Sequence, residues 1–240
     1  TWLPIGLIVG AAVGLKLTAA IYAIGFIAAA CFAGPMRQLP ARIASLGIGG
    51  VVASALTAGP WMWTLWKLYE NPLFPYFNQV FQSPYALPLA WNDTRFLPTG
   101  VADALLAPLK LLRNSSEFSE VKLTDPRLFL GLLALGGITV ATWRGKAGGI
   151  DERGGRGGLL IPLVAFCVSS YVVWLLGYSI YRYLLPLEVL FSLLIVGFVS
   201  ALPASRKRHA IVLVVCALVM VAATNRPGWW RQPFASPMVS

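Results

Sequence analysis

Residues 159–178, LLIPLVAFCVSSYVVWLLGY, lead through a four-residue turn, SIYR at 179–182, into residues 183–202, YLLPLEVLFSLLIVGFVSAL. Each apolar run is about 20 residues long, the length a helix needs to cross roughly 30 Å of hydrocarbon. The first run carries no charge and the second carries only Glu188. Two such runs joined by so short a turn read as a pair of membrane-crossing helices. Working outward, the same test picks out Trp2 to Leu15, Leu17 to Ala33, Ile43 to Tyr69, Leu128 to Trp143 and Ala210 to Thr224. The first and last of these are short for a full span, whereas Ile43 to Tyr69 is long enough to cross with tilt. The expected fold is all-α: a polytopic transmembrane helix bundle of about six to seven membrane segments. It forms one transmembrane domain over residues 1–240, with a large extracytoplasmic loop at 70–126.

Composition supports a lipid solvent. Hydrophobic residues make up 58% of the chain and charged residues 12%, about half the charge density of a soluble domain. One water-soluble core of this length could not hide so much apolar surface. The chain opens at Thr1 inside an apolar stretch, with no initiator Met and no signal-peptide layout. It is therefore expected to be the C-terminal part of a longer polypeptide. The net charge of +10 does not point to nucleic acid, because no basic stripe is interleaved with aromatics.

The basic residues instead mark sidedness. Gly34 to Arg42, Arg144 to Gly157 and Pro203 to His209 together hold nine of the nineteen Lys and Arg residues. Alternating spans put all three loops on one side, which the positive-inside rule makes the cytoplasm. Glu70 to Pro126, with four basic and six acidic residues, falls outside, as do the 179–182 turn and the tail from Asn225. Within the outer loop, Pro72 and Pro75 forbid a regular helix in Asn71 to Asn78. Farther on, Val101, Leu105, Leu109 and Leu112 share one helical face, as in a helix lying in the membrane interface and bent at Pro108. The loop serves either as a structural cap or as part of a site.

Several features take plain structural readings. Cys31, Cys167 and Cys216 sit in apolar runs without a CxxC pair and read as small buried hydrophobes. His209 lies among Arg206, Lys207 and Arg208 as one more interfacial group. Gly6, Gly10 and Gly14 recur at helical spacing, which suits close helix packing. The glycines from Gly148 to Gly158 form a connector and lack the Gly-Lys-Ser/Thr ending of a phosphate loop. Asn92-Asp-Thr94 and Asn114-Ser-Ser116 fit the glycosylation sequon, which carries no meaning in a bacterial host.

Three ionisable groups stand where charge is costly. Lys16 separates two apolar runs, Arg182 opens a span between Tyr181 and Tyr183, and Glu188 lies less than two turns deeper. A charge at the centre of a bilayer costs on the order of 2.5–3.5 kcal/mol, so such groups have partners or tasks. Lys16 and Arg182 either snorkel to headgroups or hold an anionic ligand at the outer leaflet, where an Arg fork suits phosphate oxygens.

Three stretches carry a family resemblance. Gly14-Leu-Lys-Leu-Thr18 resembles the Gly-Leu-x-x-x-Lys-type segments of polytopic GT-C glycosyltransferases. Asn71-Pro-Leu-Phe-Pro-Tyr-Phe-Asn78 resembles the Asn-Pro-x-x-Pro-aromatic stretch of bacterial membrane proteins in that group. Tyr181-Arg-Tyr-Leu-Leu-Pro186 resembles their Arg-Tyr-x-x-Pro segment at the outer start of a late span. The resemblance implies a multi-pass protein of the bacterial inner membrane that moves a sugar from a polyprenyl-phosphate carrier to an extracytoplasmic acceptor. It implies that Lys16 and Arg182 contact the carrier phosphate and that Tyr181 and Tyr183 orient phosphate or sugar. Asn71, Tyr76, Asn78 and Arg95 are further candidates for carrier or sugar, with Asp93 and Glu70 as other loop contributors. The principal catalytic acid would precede Thr1. A divalent metal stays open and no other cofactor is implied. The expected partners are the lipid bilayer and the lipid-linked sugar. A transporter or flippase is the competing class, because charges in spans also mark transport sites, although no internal repeat is present. A non-catalytic scaffold subunit of envelope assembly is a third.

Overall fold

The computed structural model describes residues 2–89, 93–113, 115–119, 124–143, 157–202 and 204–224. The connector at 144–156, both sequon asparagines and the tail from Asn225 lie outside the described residues. Every regular element among the described residues is helical. The helices are α1 (Leu3–Leu15), α2 (Ala20–Phe32), α3 (Leu39–Tyr69), α4 (Asn78–Phe81), α5 (Val101–Arg113), α6 (Arg127–Trp143), α7 (Gly157–Gly177), α8 (Leu185–Ala201) and α9 (Arg206–Ala223). They fall into two compact units, Thr1–Leu97 with Ala141–Ser179, and Pro98–Val140 with Ile180–Ser240.

The first unit is organised by backbone contact between α1 and α3. A Cβ on Gly6 would sit 2.3 Å from the Leu46 carbonyl oxygen, one on Gly10 would sit 2.1 Å from that of Gly50, and one on Gly14 would meet Thr57. The partners ascend together, so the two helices run parallel. Only glycine lets backbones approach so closely, and the glycine spacing noted above serves packing. Ser54 adds a hydrogen bond across the seam, its hydroxyl donating to the Gly10 carbonyl at 2.8 Å. At Lys16 the backbone turns extended, then re-enters through a 3₁₀ turn, Leu17–Ala19, into α2. The far end of α2 is closed by Arg42, which is 5% exposed. Its Nη1 donates to Ala30 O at 2.8 Å, and Nη2 donates to Gly34 O at 3.1 Å and Pro35 O at 2.6 Å. Ala30 lies in the last turn of α2, whose carbonyls have no partner within the helix, and Gly34 and Pro35 follow it in the chain. Arg42, counted above for its charge, thus works as a cap. α7 packs on α2 through Phe166, whose ring meets Tyr22 and Phe26.

In the second unit α6 and α8 run parallel, with Gly131 beneath Phe191 and Gly137 beneath Phe198. Ala134, Ile195 and Val199 form the core, joined by Leu213 and Met220 from α9. The hydroxyl of Thr124, just before α6, donates to the Ala223 carbonyl at the end of α9 at 2.7 Å. The start of α6 and the end of α9 therefore lie at one end of this unit. α5 buries Ala107 and Leu111 and turns the expected apolar face outward, with Val101 80% and Leu105 76% exposed. Asp103, in the first turn of α5, ties down the chain that enters the helix by accepting from the Thr99 amide at 2.8 Å, and Lys110 pairs with both Asp103 and Glu117.

One helix among the described residues, Met36–Tyr69, is long and apolar enough to cross a membrane, while Leu3–Leu15, Leu17–Phe32, Arg127–Val140, Ile161–Gly177 and Leu185–Ser200 are shorter apolar helices. All keep large apolar side chains uncovered, Leu56 at 75% and Leu193 at 62% among them. An open apolar groove of about 790 Å³ runs along α3, lined by Val9, Val13, Ile27, Gly47, Gly59 and Trp63 among others.

The glycine seam gives a direct test. Gly10→Ala drives a methyl group into a backbone carbonyl and should cost about 1–3 kcal/mol. Gly47→Ala meets nothing within 4 Å and should be neutral or stabilising by up to about 1 kcal/mol. Thermal unfolding of both purified variants in detergent measures the difference, and equal melting points would refute the seam.

Candidate functional site

The charged centre of the second unit begins in the sequence Asp125-Pro126-Arg127, immediately before α6. The Asp125 carboxylate accepts the Arg127 backbone N–H at 2.8 Å, one of the first amides of α6, which have no partner within the helix. The Arg127 side chain folds back so that Nε donates to both Asp125 oxygens at 3.0 and 2.9 Å. Its Nη2 bonds Asp125 Oδ2 and reaches Glu188 Oε2 of α8 at 3.0 Å. The Tyr181 hydroxyl, 56 residues away in sequence, donates to Asp125 Oδ2 at 2.5 Å. Asp125 and Glu188 are 1% and 2% exposed, whereas a third of the Arg127 side chain meets the surface.

The two carboxylates are served unequally. Asp125 collects Arg127 and Tyr181, while Glu188 Oε1 is buried without a hydrogen-bond partner in the structure. Burial pushes the Asp125 carboxyl upward, but the bonds from Arg127 and Tyr181 outweigh it and hold the group below the ordinary carboxylate range. The Tyr181 phenol is raised, first by burial and then by the Glu188 charge and its bond to Asp125.

Tyr181, Arg182 and Tyr183 form a 3₁₀ turn that parts the Tyr181 side chain from those of Arg182 and Tyr183. Tyr181 turns inward to Asp125, and its amide donates to Phe118 O at 2.7 Å. Arg182 is exposed, with its guanidinium carbon 5.4 Å from the centre of the Tyr183 ring. Of the residues singled out from sequence, these three and Glu188 lie in the second unit, where Glu188 joins Tyr181 through the Arg127–Asp125 pair. Tyr181 serves the turn itself, since its hydroxyl is already committed to Asp125.

Lys16, Asn71, Tyr76, Asn78 and Arg95 belong to the first unit. Asn71 and Asn78 are fully buried, with their amides committed to the loop's own backbone. Asn71 Nδ2 donates to Tyr76 O at 2.9 Å and Oδ1 accepts from the Leu73 amide at 2.9 Å. Asn78 Nδ2 donates to Ala86 O at 2.8 Å and Oδ1 accepts from the Ser83 amide at 2.9 Å. These two asparagines fold the Pro-rich loop. The Tyr76 side chain stands exposed, as does Lys16 at the break after α1. Arg95 is a bidentate partner of Asp93, at 2.9 and 2.7 Å. Glu70 ends α3 with left-handed backbone.

Asp125 and Arg127 are the residues that reading the sequence misses. The available signal was Glu188, a carboxylate inside an apolar run that requires a partner, and Arg127 is a basic residue at the head of a neighbouring run. No group of three or more His, Cys, Asp or Glu side chains that could hold a metal occurs among the described residues. Asp125 and Glu188 converge on a guanidinium, so this pair does not fit the divalent metal that the resemblance leaves open. No family model, curated protein or solved structure matches the chain.

A depressed carboxylate stabilises the fold above its unfolded pKa, about 3.9, and that contribution is lost as pH falls through the lower folded value. Acidification from pH 7 to about pH 3 should therefore lower the melting temperature of the parent more than that of Asp125→Asn, which has no carboxyl to protonate there. Melts at both pH values followed by tryptophan fluorescence make the comparison, and identical drops would show that Asp125 contributes nothing.

Proposed function

We propose that this chain is the membrane-embedded, six- to seven-span part of a glycosyltransferase of the bacterial inner membrane. In this reading it moves a sugar from a polyprenyl-phosphate carrier to an extracytoplasmic acceptor. The uncovered apolar side chains along α3, α7 and α8 support a lipid solvent, in which such surface costs nothing. The parallel pairs α1 with α3 and α6 with α8 agree with spans that alternate in direction, and the basic loops give that alternation its sense.

The observation that carries the reading is Arg182. It is an exposed guanidinium on an aromatic platform, in a turn whose neighbouring side chain is tied down by a buried carboxylate. A planar fork held in this way suits the oxygens of a lipid-linked phosphate. One observation favours the second reading, a transporter. Glu188 is a buried carboxylate within an apolar helix with one oxygen unpartnered, the kind of group that transport pathways use.

Sugar transfer from a polyprenyl-phosphate donor, assayed in the full-length protein, tests the proposal. Arg182→Lys keeps the charge and loses the fork, so it should lose about tenfold in kcat/KM, and Arg182→Ala more. Parental transfer by a well-folded Arg182→Ala would remove the phosphate role. Proton-coupled uptake without transfer would favour the transporter.

A further inference from the structure

The Arg182 turn is held at two points, both in the segment before α6. One is the Tyr181 amide on Phe118 O at 2.7 Å, and the other is the Tyr181 hydroxyl on Asp125 at 2.5 Å. The turn closes on itself through the Tyr183 amide to Ile180 O at 3.0 Å and the Leu184 amide to Tyr181 O at 2.8 Å. The residue before Arg182 is thus pinned at backbone and side chain, and the ring after it lies under the guanidinium. Asp125 is the hub. It is 1% exposed, and Arg127, itself steadied by Glu188, holds it from the other side.

A carboxylate so placed has no solvent or ligand to meet, and its lone pairs are occupied by Arg127 and Tyr181. Its bond to a phenol 56 residues away fixes where the next side chain emerges. A long, flexible side chain binds an anion more tightly when its own motion is already restricted before binding. We infer that Asp125 is the positioning residue of the phosphate site, acting through Tyr181 to hold Arg182 in place for the carrier phosphate. This rests on the role of Arg182 proposed above and assigns Asp125 no contact with substrate.

The effect expected is on donor binding. In the full-length protein, with a polyprenyl-phosphate sugar as donor, Asp125→Asn should raise KM for the donor about tenfold and leave kcat within about twofold. Tyr181→Phe removes the hydroxyl, keeps the carboxylate and its bonds to Arg127, and should raise KM in the same direction. It decides the question if Asp125→Asn does not fold. Combined with Arg182→Ala, either change should add less than about twofold, because residues acting through one another are not additive. A general structural defect would instead lower kcat and multiply with Arg182→Ala.

Parental donor KM in a folded Asp125→Asn and in Tyr181→Phe, while Arg182→Ala is crippled, would overturn this inference and leave the phosphate role of Arg182 standing. Multiplicative losses would overturn it too. Parental transfer by Arg182→Ala would remove the phosphate role first and the positioning role with it.

Discussion

The helices of this chain carry more apolar side chain than their mutual contacts cover, and the rest of the structure follows from that excess. Leu56, Leu193 and Val221 are 75%, 62% and 76% exposed on three different helices. In water each forgoes about 25 cal/mol of stabilisation per Å² of apolar surface left uncovered. In hydrocarbon that loss vanishes, but so does the hydrophobic drive that would press helix on helix. What holds the helices must then be shape and polar bonding, and both are visible. Gly6, Gly10 and Gly14 bring α1 onto the backbone of α3. Gly131 and Gly137 seat Phe191 and Phe198 between α6 and α8.

Besides the Ser54 bond within the seam, several polar groups act at element ends. Arg42 closes α2 by donating to three carbonyls, and Asn71 and Asn78 replace missing backbone partners in a loop whose prolines cannot donate. The Asp125 network follows the same logic at higher stakes. Buried charges cost several kcal/mol each unless they are paired and hydrogen-bonded. Asp125 is well satisfied by Arg127 and Tyr181, and Glu188 only in part. A buried carboxylate that fixes a surface turn links the stability of the second unit to the presentation of Arg182. That link joins packing to the proposed chemistry.

Much of the helical architecture was legible because it is written locally. Apolar runs gave the helices to within a few residues, and the glycine repeat gave the packing face of α1. α3 starts at Leu39 rather than at Ile43, because Pro40 suits a first turn and the basic loop is shorter than its charge pattern suggests. α5 follows the predicted periodicity, yet Ala107 and Leu111 are its buried positions. Val101, Leu105 and Leu109 of the expected stripe face outward while Ala107 and Leu111 at neighbouring angles meet the core, which periodicity alone does not distinguish. The Asp125–Tyr181 bond was not legible at all. It joins residues 56 positions apart, and charges tallied for sidedness carry no record of which acid faces which base. Arg42 shows the same gap, counted as a cytoplasmic charge although its guanidinium is buried against backbone carbonyls.

The claim beneath all of this is that the uncovered apolar faces lie against lipid. Spin labels at Leu56 on α3, Leu176 on α7 and Leu193 on α8, each studied in lipid nanodiscs, address it through collision with oxygen, which partitions into hydrocarbon, and with a water-soluble nickel chelate. At all three positions collisions with oxygen should dominate and the chelate should have little effect, whereas a label at Tyr76 in the loop after α3 should respond to the chelate. Strong chelate relaxation at Leu56, Leu176 and Leu193 would place these faces in water and contradict the account at its root.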